Sequence, residues 1–198
     1  FICIDDKTNN ELLKKIKNKN FYTYGQRFNS NFRIKNIKQN KFYSKFDVVV
    51  CLPNKKIFKI KKIKIPLIGI HNIRNSVGAL GVALAVGISV KQIKKGLLNF
   101  KGVQRRFNKV FTHNNIDFYD DYAHHPTEIR VVLEGVKKVY KNYDKVCIFQ
   151  PHRISRLKDL KNEFTFAFKD ADIVILCPIF SAGEKMKLGF NYEKFAKE

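Results

Sequence analysis

From Thr127 to Leu176 the sequence alternates in a way that few folds can accept. Ile129, Val132, Leu133, Val136, Val139 and Tyr140 recur at helical spacing, which predicts an amphipathic helix over Thr127 to Tyr140. Val146 to Phe149 then reads as a short apolar strand, Arg156 to Phe168 as a second helix and Ile173 to Leu176 as a second strand. Strand, helix and strand at this spacing are the pattern of a parallel α/β sheet. Ahead of it, Val110 to Thr112 and Ile116 to Tyr119 flank His113-Asn114-Asn115 and read as a hairpin.

The first hundred residues have a different texture. Phe1 to Ile4 is a strand ending at Asp5-Asp6, and Thr8 to Lys17 a helix with Leu12, Leu13 and Ile16 on one face. Short strands follow at Phe21–Tyr24, Phe32–Ile37, Phe46–Leu52 and Ile57–Ile63, joined by Gly, Asn and Pro53-Asn54 turns. After the apolar stretch Pro66 to Ile70, Asn72 to Val86 carries Ser76, Gly78, Ala79, Gly81, Ala83 and Ala85, small residues suited to a helix packed closely on a sheet. Ser89 is placed to cap a further helix with Val90, Ile93 and Leu97. The expected division is residues 1–103 and 104–198, with the boundary near 100 to 107. The chain opens inside a strand, without a signal peptide's features, and closes in a polar helix start at Asn191 to Glu198, so a fragment of a longer protein is expected.

Composition sets limits on function. Hydrophobic residues make up 44%, enough for a packed core, which excludes a disordered or fibrous chain. No apolar run approaches the ~20 residues of a membrane-spanning helix. The formal charge is +22, from 39 Lys and Arg against 17 Asp and Glu. Such a charge can serve nucleic acid. Most of it, however, is Lys scattered among Asn, Ile, Phe and Tyr, residues with A/T-rich codons, and the densest stretch, Lys55 to Lys64, alternates apolar and basic positions like a strand with one solvated face. A solvated surface is therefore expected rather than a specific nucleic-acid site. Cys3, Cys51, Cys147 and Cys177 have no metal-type spacing and lie mostly in apolar runs, as buried reduced thiols of a cytosolic protein would.

Polar residues gather where predicted strands end, the position of ligand crevices in open α/β sheets. Gly69-Ile70-His71-Asn72-Ile73-Arg74-Asn75 enters the small-residue helix, where carboxamides, an imidazole and free backbone N–H groups can meet a planar base or phosphate oxygens; alone, Asn72 would be read as a helix cap. Gly102-Val103-Gln104-Arg105-Arg106-Phe107 sets adjacent guanidinium groups at the boundary, where they could clamp a polyphosphate. Asp120-Asp121-Tyr122-Ala123-His124-His125-Pro126-Thr127-Glu128 holds three carboxylates and two imidazoles in nine residues. Thr127 could cap the following helix and Glu128 suits its positive end. The neighbouring histidines match no usual ligand pattern, so no metal site is expected within this chain. Phe149-Gln150-Pro151-His152-Arg153-Ile154-Ser155-Arg156 crowds guanidinium forks, able to grip a carboxylate, onto a strand end, and Ser181-Ala182-Gly183-Glu184 adds a shorter polar loop.

HNxxN before a small-residue helix, GVxRRF, DDYAHHPTE, FQPHRxSR and AGE, in this order, resemble the Mur ligase family, and within it the branch that adds the first amino acid of peptidoglycan. The resemblance runs from about Ile4 to Glu184. It implies the later part of a central ATPase domain followed by a Rossmann-like C-terminal domain with a mainly parallel sheet. It also implies an ATP-dependent, cytoplasmic bacterial ligase that joins the carboxylate of UDP-N-acetylmuramate to L-alanine through an acyl phosphate, with Mg²⁺ ligands upstream of this chain. By the resemblance, His71, Asn72 and Asn75 would hold the adenine side of ATP, Arg106 its phosphates and Asp121 its ribose. Tyr122, His124 and His125 would face the amino acid and the intermediate, and His152, Arg153 and Arg156 would bind the carboxylate of alanine or product. Arg106, His124 and His125 are the expected catalytic groups. No GxxxxGK[ST] phosphate loop occurs in the 198 residues, so this chain alone is expected to be inactive. The alternatives are a sibling ligase that recycles a muramyl peptide and a basic nucleic-acid-binding protein.

Overall fold

The computed structural model describes residues 1–17, 20–52, 56–184 and 192–197. It divides into two units, Phe1–Gly102 and Val103–Glu198.

The first unit is a five-stranded sheet with helices against it. In chain order it comprises β1 (Ile2–Cys3), α1 (Lys7–Lys15), β2 (Thr23–Gly25), β3 (Phe32–Gln39), β4 (Ser44–Cys51), β5 (Ile57–Ile65), α2 (Ile70–Ala85) and α3 (Val90–Asn99). The strands lie in sequence order; β1, β2 and β3 pair in parallel, and β3, β4 and β5 antiparallel. Strict alternation along β4 turns Ser44, Phe46, Val48 and Val50 inward, and the three apolar residues pack with Ile73, Val77 and Leu80 of α2. The small residues of α2 allow its close approach: a Cβ at Gly78 would stand 3.1 Å from Tyr24 Cζ. Ser89 caps α3 in a capping box with Gln92, as its sequence predicts.

Two features depart from the simple alternation. Asn36 (φ 54°) and Lys62 (φ 57°) sit in the left-handed region at register shifts on either side of β4. Asp47 on β4 serves both: its carboxylate accepts from Asn36 Nδ2 and from Lys62 N, each at 2.7 Å. The second shift moves β5 off a period of two, so Ile60, Ile63 and Ile65 are buried while Ile57 is exposed. Of the basic stretch expected to alternate, Lys55 lies outside the described residues, as do the Pro53-Asn54 turn, Asn191 and Glu198.

The second unit contains β6 (Asn108–His113), β7 (Ile116–Asp120), α4 (Pro126–Val139), β8 (Val146–Phe149), α5 (Ile154–Asp159), α6 (Lys161–Ala167), β9 (Ile173–Leu176) and α7 (Tyr192–Lys197). β6 and β7 form the expected hairpin, turning through Asn114 (φ 48°) and Asn115 (φ 62°), the pair of positive φ angles of a type I′ turn. β8 and β9 pair in parallel, Val146 opposite Ile173 through Phe149 opposite Leu176. Ile129 and Leu133 of α4 pack with Phe149, Leu157, Phe164 and Ala167 to form the core. The single helix expected over Arg156 to Phe168 is interrupted at Leu160 (φ −115°, ψ 24°), which ends α5 and whose carbonyl starts α6 by accepting from Glu163 N and Phe164 N. The four cysteines are free but half-buried rather than buried, because Cys51 and Cys147 fall on the less enclosed phase of their strands. Burial still pushes the Cys147 thiol up to about 11. No helix among the described residues is long and apolar enough to cross a membrane.

Candidate functional sites in the two units

In the first unit the chain turns into α2 at Gly69 (φ 92°), which no side chain caps. The helix therefore starts at Ile70, ahead of the expected Asn72, and Asn72 is not its cap. Its carboxamide instead donates to Ile68 O at 2.7 Å, leaving the amide oxygen for other partners. The His71 ring lies over the turn; a Cβ at Gly69 would stand 2.6 Å from His71 Cε1, so glycine is required both by φ and by this contact. Asn75 is exposed one turn on from His71. His71, Asn72 and Asn75 thus share the opening turn of one helix, beside N–H groups with no carbonyl of their own helix to meet.

The second unit brings together most of the remaining residues. Arg105 (φ 57°) and Phe107 (φ 48°) place two left-handed residues around Arg106. The turn is closed from the next loop: Asp121 Oδ2 accepts Phe107 N and its Oδ1 accepts Ala123 N, both at 2.7 Å. Burial outweighs these bonds and raises the Asp121 carboxyl above its ordinary value. Arg105 lies over the Tyr122 ring at 4.6 Å and reaches Asp120 at 3.4 Å.

Glu128 is the centre of the DDYAHHPTE loop. Its carboxylate accepts His124 N at 3.0 Å and His125 N at 3.3 Å, and lies 3.5 Å from both Arg106 Nη1 and His124 Nδ1. Burial pushes its pKa up, but these N–H groups and cations prevail and hold it below the usual glutamate range. The cap of α4 is His125, not Thr127: its Nδ1 accepts Thr127 N at 3.2 Å, which fixes the proton of the neutral ring on Nε2. For His124 the reverse holds. Nδ1 is flanked by two acceptors, Tyr122 O at 3.0 Å and the Glu128 carboxylate, so in the neutral ring Nδ1 carries the proton and Nε2 the lone pair.

At the ends of β8 and β9, His152 pairs with Phe180 as a parallel bridge. The His152 ring lies 6.1 Å from that of His124, which is 5.4 Å from Tyr122. Arg156 Nη1 donates to His152 O at 2.9 Å. Burial, then Arg156, Arg153 and His124, hold His152 below its ordinary pKa. Arg153 takes φ 71° and ψ 130°, a conformation costly for any side chain, while its N–H donates to Phe180 O at 2.9 Å. That turn leaves its guanidinium exposed. Glu184, of the fifth polar loop, accepts Ser155 N and Oγ at 3.0 and 2.7 Å, tying that loop to the start of α5.

Tyr122, His124, His152 and Arg156 thus form one cluster, with Arg106 joined to it through Glu128. His125 is occupied as a cap. The residues missed by sequence reasoning are Glu128 as a hub and Asp5, which holds Arg74 in the first unit; only the capping-box spacing of Glu128 could have signalled either. No group of three or more His, Cys, Asp or Glu among the described residues is placed to hold a metal ion. A hollow of about 650 Å³ lies at the opposite ends of β8 and β9, beside Lys137, Lys145, Asp170 and Asp172. Lys137 pairs there with Asp170 and Lys145 with Asp172, and no predicted site residue lines it.

Two family descriptions match the chain: the Mur ligase middle domain over residues 1–83 and the Mur ligase glutamate ligase domain over residues 105–198. The UDP-N-acetylmuramate–L-alanine ligase of Pelagibacter ubique is 67% identical over all 198 residues, and the enzyme of that name from Brachyspira hyodysenteriae 39% identical over 98% of the chain. The chain spans only 43% and 41% of those relatives. The crystal structure of the UDP-N-acetylmuramate-alanine ligase MurC of Thermotoga maritima matches 82% of this chain and 35% of its own, at 29% identity and a TM-score of 0.68. The folylpolyglutamate synthase of Thermotoga maritima shares the fold at 19% identity, with a TM-score of 0.63 over 97% of this chain and 43% of its own. With both family domains matched in succession, the chain belongs to the Mur ligase family.

Proposed function

We propose that this chain is the later part of a UDP-N-acetylmuramate–L-alanine ligase, residues 1–103 ending its central ATPase domain and residues 104–198 forming most of its C-terminal domain. The observation that carries the reading is the 67% identity to the Pelagibacter ubique enzyme of that name across the whole chain. In the reaction, ATP transfers its γ-phosphoryl group to the muramyl carboxylate, the alanine amine displaces phosphate from the acyl phosphate, and an amide, ADP and phosphate result. Catalysis of this kind rests on positioning and on neutralising charge. Mg²⁺, the phosphate loop and the sugar-nucleotide site belong to the longer polypeptide in this reading, since the described residues hold no metal cluster and the chain no GxxxxGK[ST]. The enzyme would act in the bacterial cytoplasm.

Each residue's chemistry supports a role. His71, Asn72 and Asn75 offer an imidazole, an unspent amide oxygen and an exposed carboxamide to the adenine. Arg106, tethered only at 3.5 Å, can move onto phosphate oxygens, and Asp121 can accept from a ribose hydroxyl. Arg153 and Arg156 suit the alanine carboxylate, beside a His152 kept neutral at pH 7. With Nδ1 turned to Tyr122 O, His124 would use Nε2 to take a proton from the alanine ammonium group, freeing the amine to attack.

The test exchanges this chain for the corresponding segment of the Pelagibacter ubique ligase. Phosphate release is then followed with UDP-N-acetylmuramate, ATP and Mg²⁺, with and without L-alanine. Alanine-dependent release is expected, and Arg106→Ala should lower kcat at least a hundredfold without moving the melting temperature. A folded enzyme that releases phosphate only with a peptide acceptor, or not at all, overturns the reading.

A further inference from the structure

Asp5 lies in the turn that follows β1, far in sequence from α2, yet its side chain is only 5% exposed and both carboxylate oxygens are engaged. Oδ2 accepts Arg74 Nε at 2.8 Å. Gln26 N donates to Oδ1 at 2.8 Å and to Oδ2 at 3.0 Å, and Arg27 N to Oδ1 at 3.3 Å. Gly25, ending β2, is shaped for this: it takes φ 145°, and a Cβ there would stand 2.5 Å from Asp5 Oδ1. One carboxylate therefore binds the ends of two parallel strands and reaches a third element, the helix. A buried charge so bonded is held in a single geometry, and removing its partner leaves it uncompensated.

Arg74 stands on the same helical face as His71, Asn75 and Gly78. Gly78 carries no Cβ against Tyr24, so this face of α2 rests directly on the end of β2. Nothing caps the helix start; Gly69 contributes no side chain, and Asn72 bonds back to Ile68 O. Ile73 anchors this end of α2 in the core, and the ion pair one residue on adds a directional polar tie between the helix start and the strand ends. Arg74 spends Nε on Asp5 and keeps a side chain 30% exposed.

We propose that Asp5 and Arg74 are positioning residues for nucleotide binding: the pair locks the opening turn of α2, and hence His71, Asn72 and Asn75, in the orientation that receives the base. The proposal rests on the assignment of that turn to ATP made above. Loss of the tie lets the turn swing by tenths of an ångström, enough to weaken a planar recognition site without unfolding the sheet beneath it.

The experiment uses the segment-exchanged ligase with Asp5→Asn, Arg74→Met and both together. ATP affinity is measured by calorimetry without other substrates, and KM for ATP and kcat by phosphate release. Each single variant should weaken ATP binding and raise its KM about tenfold with kcat within about twofold, and the double variant no further than either single one. Arg74→Met keeps the aliphatic stem and carries the test should Asp5→Asn fail to fold. Unchanged ATP affinity, a lowered melting temperature alone, or losses that multiply in the double variant overturn the proposal. If the unsubstituted enzyme ligates alanine but His71 and Asn75 variants bind ATP normally, the assignment of the turn falls instead.

Discussion

His152 is where burial and neighbouring cations act on one ring. Burial and the guanidinium groups of Arg156 and Arg153 disfavour its charged form, so its native pKa lies below 6.5. A depressed histidine contributes stability that is complete above pH 6.5 and lost as pH falls through its native value. Replacing Arg156 with Gln removes the nearest cation, and the His152 ring should then titrate at higher pH in an NMR titration of its Cε1 proton. A pKa that stays put or moves down would remove Arg156 from its causes. Such a residue was visible in FQPHRxSR because strand, imidazole and guanidinium lie within eight letters. The ion pair of Asp5 was not, since 69 positions separate it from Arg74 and nothing in either neighbourhood announces the other. Glu128 lies between: its place at a helix start was readable, but its grip on Arg106 depends on two left-handed residues that no local rule predicts.

At the scale of elements, Asp47 shows how one side chain can hold two irregularities. Its carboxyl is held below its ordinary value first by the Asn36 amide and then by Lys62 N–H. Asp47→Ala leaves both donors of the paired bulges without their acceptor, and should cost about 1–2 kcal/mol at pH 7. Because the native pKa is lowered, this contribution is complete above pH 3.8 and vanishes as pH falls through the native value. Urea midpoints of the two proteins should therefore differ at pH 7 and draw together as pH is taken progressively below 3.8; a gap that stays constant would assign the loss to packing. The apolar, β-branched run Phe46–Leu52 exposed β4 from sequence, and His113-Asn114-Asn115 the hairpin of β6 and β7, because each signal is local. The shifts at Asn36 and Lys62 were hidden, since they answer to a carboxylate on a third strand. The break at Leu160 also had no herald, lacking glycine or proline.

For the whole molecule the outstanding quantity is the charge of +22. Several surface lysines are answered by carboxylates, among them Lys109 by Asp117, Lys137 by Asp170 and Lys145 by Asp172. Such exposed pairs hold little energy. With 39 basic residues against 17 acidic ones, most of the remainder can only be solvated, and a solvated cationic surface attracts any polyanion without reading it. The chain should accordingly bind duplex DNA of unrelated sequences with equal affinity. Between 50 and 200 mM salt that affinity should fall by about 10³-fold or more if six or more phosphates are neutralised. Fluorescence anisotropy with two unrelated duplexes across a salt series decides the matter. Equal, collapsing affinities assign the charge to composition and leave the polar loops at the strand ends as the site of recognition; a preference for one duplex that survives 200 mM salt would demand base contacts and a nucleic-acid function in its own right.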